Sequence, residues 1–313
     1  MMTVAEIAAH LRAKDNFLIL THTRPDGDTL CSAAALCSAL RRIGKTAAIF
    51  PNSEITETYV SFTAPYLAEK VTGGEYVVSV DVAGTEMLPL GFTGAADLCI
   101  DHHPSNPGFA PVSLVCPEKA SCGEIVLEIV ETLCAPLTKE EANLLYIAIS
   151  TDTGCFCYAN TTADTLRAAA HVIDCGAENH PTNKLLFRSF SFARLKLEGM
   201  VFATLRSYRE NKINVAVITL DMMRESGATE NDCDDLASLA GKVRGNVVAI
   251  TVREIAPGRS KASVRTNEQV DASAICGALG GGGHKMASGC TVDVGPEELA
   301  DLILKEVEKV WPA

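Results

Sequence analysis

Asp101-His102-His103 stands at the end of the apolar run 95–100, and Pro104 follows at once. That is the carboxyl end of an expected buried strand, the place where open α/β sheets bind their ligands. One carboxylate and two imidazoles there are natural donors to a hard or borderline divalent cation. Taken alone, the tripeptide also fits surface or capping residues in an ordinary loop. Other segments of the first half repeat the arrangement. His22-Thr-Arg-Pro-Asp26-Gly-Asp28 follows the strand pattern 17–21, Asp81 closes the run 76–80, and Asp152 lies just beyond the apolar segment 139–149. Four acidic strand-end positions are therefore expected along one sheet edge.

The elements that must position these residues can be read from periodicity. Residues 3–14 have helical spacing after a capping Thr3, and 17–21 reads as a short buried strand. Pro25 and Gly27 favour a tight turn that lets side chains 22, 26 and 28 converge, although the same segment also reads as an Asx-rich turn with a helix cap. Thr29 is expected to open a helix that ends at Gly44. Strands follow at 46–50 and 76–80, then the strand ending in Asp101, a small flexible segment 105–111, and helices over 123–133, 139–149 and 161–174. Strands alternating with helices predict an α/β, doubly wound, mostly parallel sheet.

Composition bounds the rest. A length of 313 residues suggests two domains. With 47% hydrophobic, 21% charged and 5% aromatic residues the chain has a soluble, aliphatic, globular composition. No apolar run approaches the roughly 20 residues of a membrane span, and the N-terminus lacks a signal peptide's apolar core, so a cytoplasmic location without membrane partners is expected. The 12 cysteines contain no CxxC, and Cys31, Cys37, Cys99 and Cys134 lie in apolar stretches, which points to reduced packing residues. The close pair Cys155 and Cys157 is likewise expected to be structural. A net charge of −12 argues against a broad basic face for duplex DNA. Small anionic substrates stay open if metal ions supply the positive charge.

From residue 176 the pattern changes. The segment 185–208 reads as a connecting helix or helix pair, equally able to supply a homodimer surface, with Phe187, Phe190, Phe192 and Phe202 expected in packing. The expected organisation is a metal-binding domain over 1–175, a helical linker over 176–210 and a smaller α/β domain over 211–313. In the last, a strand over 213–220 leads to a helix near Asp232 to Ala240, two more strands, and Gly280-Gly281-Gly282-Gly283-His284-Lys285. Those glycines could bring backbone N–H groups close to a phosphate, with His284 and Lys285 adding charge; a flexible loop is the other reading.

His22, Asp26, Asp28, Asp81, Asp101, His102, His103 and Asp152 offer more ligands than one ion needs, and two cations account for them. Held about 3.5–4 Å apart, such ions clamp a phosphoryl oxygen and acidify the attacking water. As a set, His22-x-x-x-Asp26-x-Asp28, Asp81, Asp101-His102-His103 and Asp152-Thr-Gly resemble the four motifs of the DHH phosphoesterases. Gly280 to His284 with Arg265 resembles the DHH-associated C-terminal domain, whose sheet is mixed. The resemblance spans nearly the whole chain and is greatest to the compact bacterial oligoribonuclease and pAp phosphatase branch.

The resemblance implies that His22 and Asp26 bind one metal, that Asp28, His102 and Asp152 bind a second, and that Asp81 bridges. Asp101 would orient the adjacent imidazole, and His103 would face the substrate phosphate or leaving oxygen. Arg265, Gly281, Gly282, Gly283, His284 and Lys285 would hold the distal part of a nucleotide, leaving the scissile phosphate between the domains. Mn²⁺ is the implied ion, with Mg²⁺ or Co²⁺ as substitutes. One departure, Cys31 before Ser32 where a small glycine is expected, spares the ligands but would alter helix packing. The implied substrates are very short RNA and 3′-phosphoadenosine 5′-phosphate (pAp). Cyclic or linear dinucleotides and pyrophosphate are rival substrates for such a centre, and a nucleotide-binding regulator without turnover is the non-enzymatic rival.

Overall fold

A computed structural model of the protein describes residues 2–233, 236–267 and 269–312, with Asn231 described in its backbone only. The chain forms two compact units, Met1–Ser189 and Phe190–Ala313.

The first unit is an α/β layer structure. Its elements are α1 (Val4–Ala13), β1 (Phe17–Leu20), α2 (Gly27–Arg42), β2 (Ala47–Ile49), α3 (Glu57–Thr63), β3 (Tyr76–Val80), β4 (Leu98–Asp101), β5 (Val112–Val115), α4 (Cys122–Cys134), α5 (Lys139–Asp152), α6 (Ala163–Asp174) and α7 (Asn179–Phe187). The strands make a parallel five-stranded sheet in the order β2-β1-β3-β4-β5. Such strands are covered on both faces, which is why FLIL and LCID read as unbroken apolar runs. Phe17, Ile19, Val78, Val80, Leu98 and Ile100 share one large core with the inner faces of α1, α2, α4 and α5. On the opposite side Cys99 joins a small cluster with Val77, Ala96, Phe109 and Ala110. The chain reverses its direction of strand addition between β1 and β3, so the loops that leave those strands open a crevice at their carboxyl ends.

The second unit contains α8 (Phe192–Ala203), β6 (Arg206–Tyr208), β7 (Ile213–Ile218), α9 (Leu220–Ser226), β8 (Val248–Ala256), β9 (Arg259–Thr266), α10 (Ala272–Gly277), β10 (Gly282–His284), β11 (Ala287–Val292) and α11 (Pro296–Val310). Its six-stranded sheet, ordered β10-β11-β9-β8-β7-β6, is mixed: only β7 and β8 run parallel. One face packs on α10 and α11, the other partly on α8, α9 and the 3₁₀ turn Leu236–Lys242.

Several expectations are corrected. Between the segment 105–111 and the next helix lies a strand the sequence reading lacked, β5, whose Val-Ser-Leu-Val is too short to stand out. Asp152 is the last residue of helix α5, so three strand ends and one helix end meet where four strand ends were expected. Helix α2 begins at Gly27, because the Asp26 carboxylate, not Thr29, caps it. In place of a helix near 232–240 there are two 3₁₀ turns, Glu230–Cys233 and Leu236–Lys242, with Asp234 and Asp235 outside the described residues. The glycine run ends as strand β10 and not as a loop. The segment 185–208 closes α7, forms α8 and finishes as β6. Phe190, Phe192 and Phe202 are exposed, since α8 buries Leu197 and Val201 instead; Arg194 lies over the Phe190 ring and Lys242 over that of Phe202. Cys157 is also exposed, while Cys31 is completely buried in the core of α2, and all 12 cysteines are free. Among the described residues no helix is long and apolar enough to cross a membrane.

Candidate metal centre

The site is assembled at the carboxyl ends of β1, β3 and β4 and the facing ends of α2, α4 and α5. After β1, buried His22 donates from Nδ1 to the Thr23 carbonyl (2.7 Å), a group that can only accept, so Nε2 is the nitrogen left to face Asp26 Oδ1 (3.6 Å) and Asp81 Oδ2 (3.7 Å). Asp26 does two jobs: the same Oδ1 accepts the N–H groups of Asp28 and Thr29, capping α2. Two residues outside the expected ligand set hold this turn. Asn52 donates to the His22 carbonyl, and Thr29 Oγ1 donates to the Val80 carbonyl while accepting the His22 N–H, which ties the end of β1 to the end of β3.

Asp81 follows β3 with φ 58°, a left-handed conformation that Asp tolerates better than most residues. Its N–H still pairs with the Ile100 carbonyl, and the turn swings the carboxylate into the crevice. Asp81 Oδ1 lies 3.4 Å from His102 Nε2 and 3.6 Å from His103 Nδ1. His102 donates from Nδ1 to the Lys119 carbonyl (3.2 Å), which turns its Nε2 toward Asp81, Asp152 (3.5 Å) and Asp28 (4.0 Å).

Asp28 is wholly buried and accepts from the Cys122 N–H (2.7 Å), the Gly123 N–H (2.9 Å) and the Ser32 hydroxyl (3.0 Å). The start of α4 thus presents its free N–H groups and its positive dipole end to this carboxylate. Close helix packing makes that approach achievable: a Cβ on Gly123 would come 2.6 Å from Ala148 Cβ on α5, and one on Gly27 would come 2.6 Å from the Thr151 side chain. Gly123→Ala is therefore expected to lower stability by about 1–3 kcal/mol through overpacking and to weaken metal uptake by moving the donors to Asp28. Thermal denaturation and metal titration of the variant check both effects.

Asp152 is followed by Gly154, Cys155 and Phe156, all with positive φ, a tight left-handed turn held by Cys155 N–H on the Ser150 carbonyl and by Asn160, which donates to the carbonyls of Asp152 and Ala120. Asp101 closes β4, and in the turn that follows its Oδ1 bypasses adjacent His102 and accepts from His103 Nδ1 (2.8 Å). Its other oxygen accepts from Asn106 Nδ2 (2.7 Å). A short sequence reading misses Asn106, Asn52 and Asn160 because each acts across a turn or between elements.

The carboxylates repel one another in the absence of a cation. Burial, with the carboxylates of Asp81 and Asp152, holds the Asp28 carboxyl well above its usual range. Burial also raises Asp152 to about 6, against the opposing pull of His102 and with help from Asp81 and Asp26. Burial pulls His22 and His102 down, but the surrounding carboxylates outweigh it and push them up to about 9 and about 10. Nearby Cys122 has its thiol driven up by burial and then by Asp28, which keeps it protonated and removes it as a ligand. A divalent cation would replace those protons.

The donor set fits such an ion. Among the described residues, ligand atoms gather within 4.8 Å in three groups: His22, Asp26 and Asp81; Asp28, His102 and Asp152; and Asp81, His102 and His103. Asp81 Oδ1 and His102 Nε2 are buried without any hydrogen-bond partner, a costly arrangement unless a cation satisfies them. Carboxylate and imidazole without thiolate suits Mn²⁺, Mg²⁺ or Co²⁺.

The sequence-identified residues of the second unit lie together as well. Arg265 of β9 pairs in register with Ala287 of β11, which pairs with His284 of β10, so Arg265 and His284 flank a small residue in one row of the sheet. Lys285 is exposed in the β10–β11 turn, where its carbonyl accepts from the Ala272 N–H. Gly281 and Gly283 are required by packing, since a Cβ on either would run into β11, whereas Gly282 is open.

Comparison with known proteins agrees with this architecture. Residues 16–149 match the DHH family N-terminal domain and residues 211–311 the DHHA1 domain. The chain is 33% identical over 296 residues to the bifunctional oligoribonuclease and PAP phosphatase NrnA of Thermus thermophilus, covering 93% of this chain and 88% of the relative. It is 26% identical over 316 residues to the protein of that name from Bacillus subtilis, covering 97% of each. The crystal structure of an exopolyphosphatase-related protein from Bacteroides fragilis shares the fold, with a TM-score of 0.86 at 18% identity over 98% of this chain and 95% of the other. A parallel sheet with the DHH motif at the carboxyl end of β4, a mixed-sheet DHHA1 domain and a relative this similar along its whole length make the chain a member of the DHH family of metal-dependent phosphoesterases.

Proposed function

We propose that this phosphoesterase is a two-metal enzyme that degrades very short RNA to mononucleotides and removes the 3′-phosphate of pAp to leave AMP, with Mn²⁺ as its working ion. The observation that carries the reading is the pair of buried atoms Asp81 Oδ1 and His102 Nε2, neither with a hydrogen-bond partner, on the two residues that link the three ligand groups. The names of the relatives supply the substrate class.

His22 and Asp26 would hold one ion, Asp28, His102 and Asp152 the other, and Asp81 both. When bound, the ions supply Lewis acidity that neutralises phosphoryl charge and acidifies the attacking water. The residues do the remainder. Asp28 keeps its place through three donors, and His22 and His102 present their Nε2 lone pairs because each Nδ1 proton is committed to a carbonyl. His103 has its Nδ1 proton fixed on Asp101, leaving Nε2 to hold a proton for the leaving oxygen.

Arg265 and His284 would grip the nucleotide portion remote from the cleaved bond. Arg265→Ala is then expected to raise KM for a dinucleotide by about 10- to 100-fold, the loss of one charge-assisted contact, with a smaller change in kcat. Steady-state kinetics on a 5′-phosphorylated dinucleotide measure this. The activity itself is tested by product formation from that dinucleotide, from pAp and from pyrophosphate, each with Mn²⁺ and with chelator. Mononucleotide and AMP appearing only with metal are the expected results. Turnover of pyrophosphate alone would reassign the enzyme, and tight nucleotide binding without product would make it a regulator.

A further inference from the structure

We propose that Asn106 is the positioning residue of His103. It does so by occupying the second oxygen of Asp101, and this inference rests on the reading that His103 serves the leaving oxygen. Asn106 lies in the loop that follows the Asp-His-His tripeptide, and its own N–H donates to the His103 carbonyl, so the loop folds back on the residue it serves. The direction of its amide is fixed: Oδ1 accepts the Gly108 N–H at 2.8 Å, where Gly108 turns the chain with φ 71°. Nδ2 therefore carries the donors. It faces Asp101 Oδ2 at 2.7 Å, the Val82 carbonyl at 3.0 Å and Cys99 Sγ at 3.3 Å.

Two protons cannot serve three acceptors equally, and the shortest bond to the only charged acceptor dominates. Asp101 is wholly buried, with one oxygen on His103 and the other on Asn106. Deleting the amide would leave a buried anionic oxygen without its donor, a state worth avoiding by rotation of the carboxylate. That rotation would drag the His103 Nδ1–H bond with it. The imidazole is about one-third exposed and rests against the His102 ring, with centroids 4.5 Å apart, and the hydrogen bond that sets its rotation there is the one to the carboxylate behind it. The second proton of Nδ2 goes to the residue after Asp81, so the same amide spans the strand ends that carry Asp81 and His103.

The test uses the full-length chain with Asn106→Ala, Asn106→Ser, which keeps a single donor, and Cys99→Ala, which removes only the weakest acceptor. In the metal-free proteins the His103 Nδ1–H proton is followed by nitrogen-15 NMR. The Mn²⁺ titration and the kcat and KM for pAp are then measured. Asn106→Ala should shift or broaden the His103 signal and lower kcat by about 10- to 100-fold, the usual cost of losing an outer hydrogen-bond partner. KM and Mn²⁺ affinity should stay within about threefold, Asn106→Ser should recover much of the loss, and Cys99→Ala should match the parent. An unmoved His103 signal with parental kcat would overturn the proposal, as would a fall in kcat matched by equal losses of Mn²⁺ affinity and of folded protein. If Asn106→Ala does not fold, Asn106→Ser decides by the same signal and a several-fold lower kcat. Should the parent enzyme turn over no phosphoester, the reading of function fails, while the NMR comparison still decides the role of Asn106.

Discussion

Asp81→Asn should lower kcat by about 10³-fold or more on either substrate, the scale seen when a group that stabilises developing charge is removed. Asp81 belongs to two of the three ligand groups and is 3% exposed, so its loss should also reduce the number of Mn²⁺ ions retained after equilibration. A separate signature distinguishes a lost ligand from a broken fold. The carboxylate raises the cost of charge on Asp28 and Asp152, and the neutral amide removes that repulsion. The same change removes the attraction of Asp81 for His22 and His102, so the two effects offset, and metal-free Asp81→Asn should melt close to the metal-free parent while being almost inactive. Full activity would remove Asp81 from the mechanism; low activity with a much lower melting temperature would assign it to the scaffold instead.

The second large effect is a dependence of stability on pH that changes sign with metal. His22 has its folded-state pKa raised from 6.5 to about 9, and Asp152 from 3.8 to about 6. A group whose pKa is raised on folding contributes stability that is complete below the unfolded value and is lost as pH rises through the folded one. In metal-free protein the Asp152 contribution is lost between about pH 4 and 6, and that of His22 between about pH 6.5 and 9. At 1.36 kcal/mol for each pKa unit, His22 alone amounts to roughly 3 kcal/mol across its window. The metal-free protein should accordingly become less stable from pH 6.5 to 9. With Mn²⁺ bound, the imidazole protons have already been displaced and metal affinity rises as protons become scarce. Melting curves with Mn²⁺ and with chelator should diverge steadily across this range, and isothermal titration in buffers of different ionisation heat should show proton release on Mn²⁺ uptake. A constant gap between the two curves would mean that the site does not exchange protons for metal.

Much of this was legible in the sequence because it is local. His22, Asp26 and Asp28 share one turn, Asp81 and Asp101 each terminate an apolar run, and an apolar strand followed by a polar loop and a capped helix fixes the α/β class by pattern alone. The chemistry of the ligand set, oxygen and imidazole without thiolate, is likewise a property of residue type. Other features depend on where separate elements come to rest. That Asp152 terminates a helix and still meets three strand ends depends on α5 packing against α2 and α4 at Gly27 and Gly123, where no side chain would fit. The partners of Asp28 are N–H groups of Cys122 and Gly123, more than 90 residues away, and backbone donors leave no mark in the sequence. The choice of Asp101 for His103 over His102 is made in the turn after β4, and its second partner Asn106 comes from a loop that folds back. Residue types and their local order set what the centre can bind; only the packing of helix ends and loops decided which atoms are left unpartnered to bind it, because burial and long-range hydrogen bonds are properties of the folded chain.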